Sequence, residues 1–154
     1  DGTLWSWGSN SYGNLGNGTA TFYSSPVQVG ALTNWKQVAC GYATAAIKTD
    51  GTLWTWGRNS NGQLGNGVAV NYSSPVQVGS LTTWKQVSCG YGHTMSIKND
   101  GTLWGWGRNN VGQLGIGSTL TKLSPTKVGS SSWSLVSLLA IASSLSLEIA
   151  PPYL

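Results

Sequence analysis

Short runs in which apolar and polar positions alternate, broken repeatedly by Gly, Pro, Asn, Asp and Ser, make up most of this chain. Such runs predict half-buried strands. In the best-defined stretch, Trp84–Cys89 (WKQVSC) and His93–Lys98 (HTMSIK) are the first two strands. Residues 102–107 (TLWGWG) supply the third, and residues 125–128 (PTKV) the fourth. The fourth starts at Pro, which a sheet tolerates at its edge. Asn99-Asp100-Gly101 joins the second strand to the third. An Asp-Gly pair between β-rich runs predicts a hairpin whose two central residues both take positive φ.

This pattern repeats. Residues 2–18 (GTLWSWGSNSYGNLGNG), 51–67 (GTLWTWGRNSNGQLGNG) and 101–117 (GTLWGWGRNNVGQLGIG) are near copies. SSPVQVG occurs at residues 24–30 and 73–79, and a degraded LSPTKVG at 123–129. WKQVACGY at 35–42 matches WKQVSCGY at 84–91. The turns repeat too, with 49 residues from Asp1 to Asp50 and 50 from Asp50 to Asp100. A period of this size indicates stacked supersecondary units. Within each copy a Trp-x-Trp pair (Trp5/Trp7, Trp54/Trp56, Trp104/Trp106) has strand spacing. Its two rings therefore share one face, and Leu4, Leu53 and Leu103 take the other. A sheet apolar on both faces must be sandwiched, as the blades of a radial stack are. The expected fold is all-β: β-propeller-type repeats of four-stranded antiparallel blades, about three of them, in an incomplete ring. Residues 1–30 read as the outer half of a blade lacking its inner half, 35–79 and 84–129 as complete blades, and 133–154 as a partial one.

Composition narrows the function. The 154 residues include 22 Gly, about 14% and roughly twice average usage, without a collagen period. Lys and Arg number 8 and Asp and Glu 4, giving +4 with no basic cluster. That balance excludes a specific nucleic-acid site. No apolar run is long enough for a transmembrane helix. Three of the four acids, Asp1, Asp50 and Asp100, precede Gly and are turn formers. No carboxylate pair remains for acid–base catalysis, and His93 is the only histidine. It reads as a structural donor. No G-x-S-x-G elbow occurs, and two Cys plus one His in separate repeats make no zinc set. Cys40 and Cys89, at equivalent places in neighbouring units, read as two small buried hydrophobes and not as a disulfide. The glycines of 62–65 and 112–115 suit tight turns and close backbone approach, and no Lys-Ser/Thr follows to cradle phosphate. No catalytic, cofactor-binding or metal-ligating residue is assigned, and no cofactor is implied.

The ordered motifs L-W-x-W-G-x-N-x-x-G-Q-L-G-x-G, S-P-x-x-V, W-x-x-V-x-C-G-x-x-H-T and D-G resemble the regulator of chromosome condensation repeat family. The resemblance runs from Asp1 to about Val136. It implies a β-propeller, usually of about seven blades, acting as an interaction platform. Family members include a nucleotide-exchange factor for a small nuclear GTPase that also binds nucleosomes, a secreted β-lactamase inhibitor and ubiquitin-ligase scaffolds. The near-identical Trp-rich copies look most like the bacterial or phage kind. Exchange activity depends on loops that break the repeat, whereas these loops keep it. The family's G-x-x-H survives at Gly90-Tyr91-Gly92-His93 and becomes Gly41-Tyr42-Ala43-Thr44 in the preceding copy.

The leading reading is a non-catalytic interaction module presenting loops to an unknown protein partner. The copies differ most at residues 19–23, 68–72 and 118–123. The alternatives are a carbohydrate or cell-surface binder stacking sugars on Trp and Tyr, and a guanine-nucleotide exchange factor. Starting in mid-repeat, the chain reads as a fragment, and its open blade edges invite self-association. After Ser137 the pattern breaks. Two readings of the tail stand: a reading-frame shift near Ser137, or a divergent cap of the kind repeat arrays carry.

Overall fold

The computed structural model describes residues 1–138. The shifted or capping tail lies outside them, apart from its first residues. Ten strands form in the order β1 (Trp5–Gly8), β2 (Tyr23–Gln28), β3 (Trp35–Cys40), β4 (Ala43–Lys48), β5 (Leu53–Gly57), β6 (Tyr72–Gln77), β7 (Trp84–Cys89), β8 (His93–Lys98), β9 (Leu103–Gly107) and β10 (Lys122–Val128). They build three antiparallel sheets: β1-β2, β3-β4-β5-β6 and β7-β8-β9-β10. The described residues are all-β, and their sheets form an open array that does not close a ring.

The four-stranded sheets are meanders. Pairs such as Ala45↔Thr55 and Met95↔Gly105 set their register. The last strand is longer than the pattern predicts, because it pairs from Lys122 across a bulge before reaching Thr126. Pro125 is accommodated inside that irregularity, on an edge strand.

The hairpin differs from expectation. No residue except glycine has positive φ among the described residues, so Asp50 and Asp100 do not. Gly101 N–H donates to the Lys98 carbonyl at 3.0 Å, and Lys98 N–H to that of Thr102 at 3.0 Å. Gly101 has φ +80°. This is a three-residue connection in which one glycine takes the left-handed turn. Asp100 is thereby free to accept from the Thr102 N–H at 3.0 Å and its hydroxyl at 2.7 Å. The Trp104 indole then donates to that hydroxyl at 2.9 Å. The same relay runs Trp54–Thr52–Asp50 and Trp5–Thr3–Asp1. Engaging Thr102 in the turn starts the third strand at Leu103 rather than Thr102.

The apolar cores lie between units. Ala45, Ile47, Leu53 and Val78 from one sheet meet Trp84, Val87, Cys89 and Trp106 from the next. Trp35, Ala46 and Trp56 pack with Leu4 on the side of β1. Met95, Ile97, Leu103 and Val128 are covered by Val136, Trp133 and Leu138. Trp54 and Trp56 both meet Trp35 edge-on, at 6.4 and 5.9 Å between centroids, so the Trp-x-Trp rings do share a face.

Polar clamps hold neighbours together. The Gln37 amide bonds both the N–H and the carbonyl of Val87, at 3.2 Å each. Gln86 does the same to Val136, again at 3.2 Å. Leu138 N–H adds a bond to Ser88 Oγ at 2.9 Å. Residues 133–138 therefore dock on the third sheet as β7 docks on the second. The Trp56 and Trp106 indoles donate at 2.9 Å to the carbonyls of Asn14 and Gln63 in the glycine loop of the preceding unit.

The first sheet departs from the sandwich expectation. Trp7 is 61% exposed, whereas its equivalents Trp56 and Trp106 are 1% and 0%. No described strand pair covers the face that Trp7 occupies. Cys40 corrects a second expectation: it is exposed, while Cys89 is buried. Cys89 is covered by the β4 face of the preceding sheet. Cys40 faces only the two-stranded sheet, across an open cleft lined by Trp5, Trp7 and Val38. Both cysteines are free thiols.

Candidate interaction surface

Each four-stranded sheet has two unlike ends. One end carries the Asp turns, beside Lys48 and Lys98. The Lys48 ammonium sits 3.6 Å from the Trp54 ring centroid, and Lys98 likewise 3.6 Å from Trp104. Burial against the rings draws both lysines below their ordinary pKa, partly offset by the nearby Asp. Hydrogen bonds from Thr52 and Thr102 draw the carboxyls of Asp50 and Asp100 below the usual range. Lys48 and Lys98 are spent on packing against the tryptophans, while the carboxyls of Asp50 and Asp100 stay exposed and engaged by Thr52 and Thr102.

The other end is built from the β3–β4 and β7–β8 turns, the segments after β5 and β9, and the variable loops. Asparagines fix those loops. Asn59 donates to the carbonyls of Val68 at 2.8 Å and Val70 at 3.0 Å, and accepts from Leu64 N–H at 2.9 Å. Asn10 holds Thr19, Thr21 and Leu15 in the same way, and Asn109 holds Ser118, Leu120 and Leu114. All three asparagines are fully buried. The backbone of each variable loop is thus pinned, while Phe22, Val70 and Leu120 project outward, exposed.

Beside the loops runs a strip of tyrosines and arginines. The Tyr42 and Tyr91 rings, on the turns of successive sheets, lie 4.6 Å apart. The Arg58 guanidinium is 5.0 Å from the Tyr12 ring and 5.1 Å from Tyr42. Arg108 is 5.9 Å from Tyr91. Backbone bonds set this order: Arg58 N–H donates to the Tyr42 carbonyl at 3.1 Å, and Arg108 N–H to Gly92 at 2.7 Å. Tyr12 and Tyr42 are exposed. Tyr91, Arg58 and Arg108 are half-buried.

His93 lies beneath this strip. It is buried, and its Nε2 has no partner among the described residues. Burial, reinforced by the Arg108 charge, lowers its pKa to about 4. The ring packs closely on the turn before it, where a Cβ on Gly90 would lie 2.5 Å from its Cε1. Burial likewise drives the Cys89 thiol up to about 12. Among the described residues no three His, Cys, Asp or Glu side chains group as a metal site. No helix of the described residues is long and apolar enough to cross a membrane.

The sequence profile of the regulator of chromosome condensation (RCC1) repeat matches residues 1–47, 50–97 and 100–141. The chain belongs to the RCC1 repeat family. A second profile of the same repeat matches residues 35–63 and 84–113. Among solved structures, the chain is similar to human WBSCR16, with 24% identity and a TM-score of 0.72 over 82% of this chain and 33% of that one. It is similar to Prp20p of Saccharomyces cerevisiae, a protein described by its binding properties to Gsp1p and histones. There the identity is 20% and the TM-score 0.78, over 88% of this chain and 37% of that one. Yeast RCC1 (Prp20) bound to Kap60 gives 22% and 0.74, over 90% and 36%. At these identities the likeness establishes the propeller-type fold. The chain spans about a third of the length of each structure. No curated protein matches the sequence significantly. These human and yeast relatives lend no support to a bacterial or phage subgroup.

For an RCC1-repeat chain, the strip was the feature that sequence reading missed. The signal was present: Gly-Tyr recurs at 41–42 and 90–91, and Arg58 and Arg108 stand where the first copy has Ser9. Periodicity shows recurrence, but not that Tyr12, Arg58 and Tyr42, from different units, converge.

Proposed function

We propose that this chain is a non-catalytic protein-interaction module whose partner docks on the end carrying the variable loops and the tyrosine–arginine strip. One observation carries the reading: the residues that vary between copies, and the exposed tyrosines, gather at one end of a framework whose buried groups are spent on joining its units. Exposed Tyr beside half-buried Arg, on turns pinned by the fold, is what protein interfaces use as anchors. The division into an outer half-blade (1–30), two blades (35–79 and 84–129) and the start of another (133–154) belongs to the same proposal. So does strand pairing at the unpaired edge of β1, which corresponds to the edge through which β5 meets β4.

A displayed peptide library screened against the folded chain tests this reading. The expected result is saturable binding that Tyr42→Ala weakens about tenfold or more, measured well below that variant's own melting temperature because the substitution also removes the Tyr42–Tyr91 contact between sheets. Binders indifferent to Tyr42→Ala and to changes in residues 68–71, or no binder at all, would overturn it.

A further inference from the structure

We infer that the tyrosine–arginine strip docks an acidic peptide segment of its protein partner; this rests on the interaction-module reading above. The chain has two arginines, Arg58 and Arg108, and both lie in this strip. Lys122 stands at the same end, since it pairs with Gly107. The acids of the described residues, Asp1, Asp50 and Asp100, all sit at turns of the opposite end. Three cations, Arg58, Arg108 and Lys122, thus stand at this end with no carboxylate beside them among the described residues, whereas Lys48, Lys98 and Lys127 at the opposite end have Asp50 or Asp100 as neighbours.

The guanidiniums are pre-oriented. Arg58 stands between Tyr12 and Tyr42, and its Nε donates to Ser60 Oγ at 3.0 Å. Arg108 Nε donates to Asn110 Oδ1 at 2.7 Å. One edge of each fork is held by its own loop, and the terminal nitrogens have no bond among the described residues. A held planar fork with free terminal donors suits a carboxylate, which takes two parallel hydrogen bonds. Holding it in advance removes ordering entropy from the cost of binding.

The same geometry favours peptide over other anions. Nucleic-acid bases stack on open aromatic faces. Here Tyr42 already has Tyr91 at 4.6 Å and Arg58 at 5.1 Å, so its ring is engaged by its neighbours. A membrane surface calls for a cluster of basic residues, and three spaced cations do not make one. Carboxylates on an extended peptide can meet successive arginines while apolar side chains pack beside Tyr12 and the exposed Val111.

Fluorescence anisotropy with the full 154-residue chain tests the inference. The probes are a labelled Glu-Ser alternating peptide, its Gln-Ser counterpart, a single-stranded RNA, and vesicles containing phosphatidylserine. The acidic peptide is expected to bind about tenfold or more tighter than the neutral one. Arg58→Gln and Arg108→Gln should each weaken it about fivefold or more, whereas Lys127→Gln, at the other end, should leave it within about twofold. Arg58→Lys, which keeps the charge and loses the fork, should fall between wild type and Arg58→Gln. Equal loss from Lys127→Gln and Arg58→Gln would overturn the site, reducing it to net charge. Preferential binding of RNA or vesicles would overturn the choice of partner. If library peptides bind through Tyr42 but ignore Arg58→Gln, the acidic specificity fails while the interaction-module reading stands.

Discussion

Replacing Gly65 with Ala measures how much of this fold's stability resides in the joint between its sheets. Gly65 has φ +70°, and a Cβ there would lie 2.6 Å from Nε1, 2.8 Å from Cδ1 and 3.0 Å from Cε2 of Trp106. Trp106 is fully buried and its indole bonds the Gln63 carbonyl at 2.9 Å, so it cannot yield without losing partners. Gly79 is the control, with φ +61° and nothing within 4 Å of the added carbon. Both substitutions carry the left-handed backbone cost of about 1–2 kcal/mol. Gly65→Ala adds overpacking of about 1–3 kcal/mol and a weakened hydrogen bond of about 1 kcal/mol. The two variants should therefore differ by about 2–4 kcal/mol. With a urea slope of about 2 kcal/mol/M, their midpoints should separate by about 1–2 M in tryptophan fluorescence. Gly115, equivalent in sequence, would meet only Val128 Cγ1 at an ordinary 3.6 Å, so Gly115→Ala should track Gly79→Ala. Gly16, against Trp56 at 2.6 Å, should track Gly65. Coincident midpoints for Gly65→Ala and Gly79→Ala would refute the claim that the glycine exists to admit the indole.

Three further outcomes are expected. In native buffer one thiol, Cys40, should react with a maleimide or aromatic disulfide reagent, more slowly than a free thiol in solution because partial burial raises its pKa; Cys89, buried and with its pKa near 12, should react only after denaturation. Native labelling of both would contradict the packing. His93 has a folded pKa of about 4 against an ordinary 6.5, so the unfolded chain binds the proton more readily between these values. Stability should therefore fall as pH drops from about 6.5 towards 4, by up to about 3 kcal/mol, and His93→Ala should flatten the part of that slope above pH 5 in urea titrations. Asn59→Ala removes bonds to Val68, Val70 and Leu64 at a fully buried site and should cost about 3 kcal/mol. Hydrogen exchange should show the loss first as faster exchange at Leu64.

Much of the fold is legible from local pattern. The predicted strands Trp84–Cys89 and His93–Lys98 form with those bounds, because alternation and β-branched content are properties of the strand itself. The role of Asp-Gly as a turn is equally local. Its geometry was less so: glycine alone takes the positive φ, leaving Asp100 to accept from Thr102. The tyrosine–arginine strip was not legible, since Tyr12, Tyr42 and Tyr91 are far apart in sequence and meet only when sheets stack.

The amino-acid sequence by itself determined the repeat, the strand faces and the family, because each rests on spacing within one unit. Only the tertiary structure decided the fate of equivalent residues. Cys40 and Cys89 share a local sequence, as do Trp7, Trp56 and Trp106, yet Cys40 and Trp7 are exposed and the others buried. The physical reason is that no unit buries its own faces: each core lies between sheets, so burial belongs to the neighbour that covers a residue and not to the residue's own pattern.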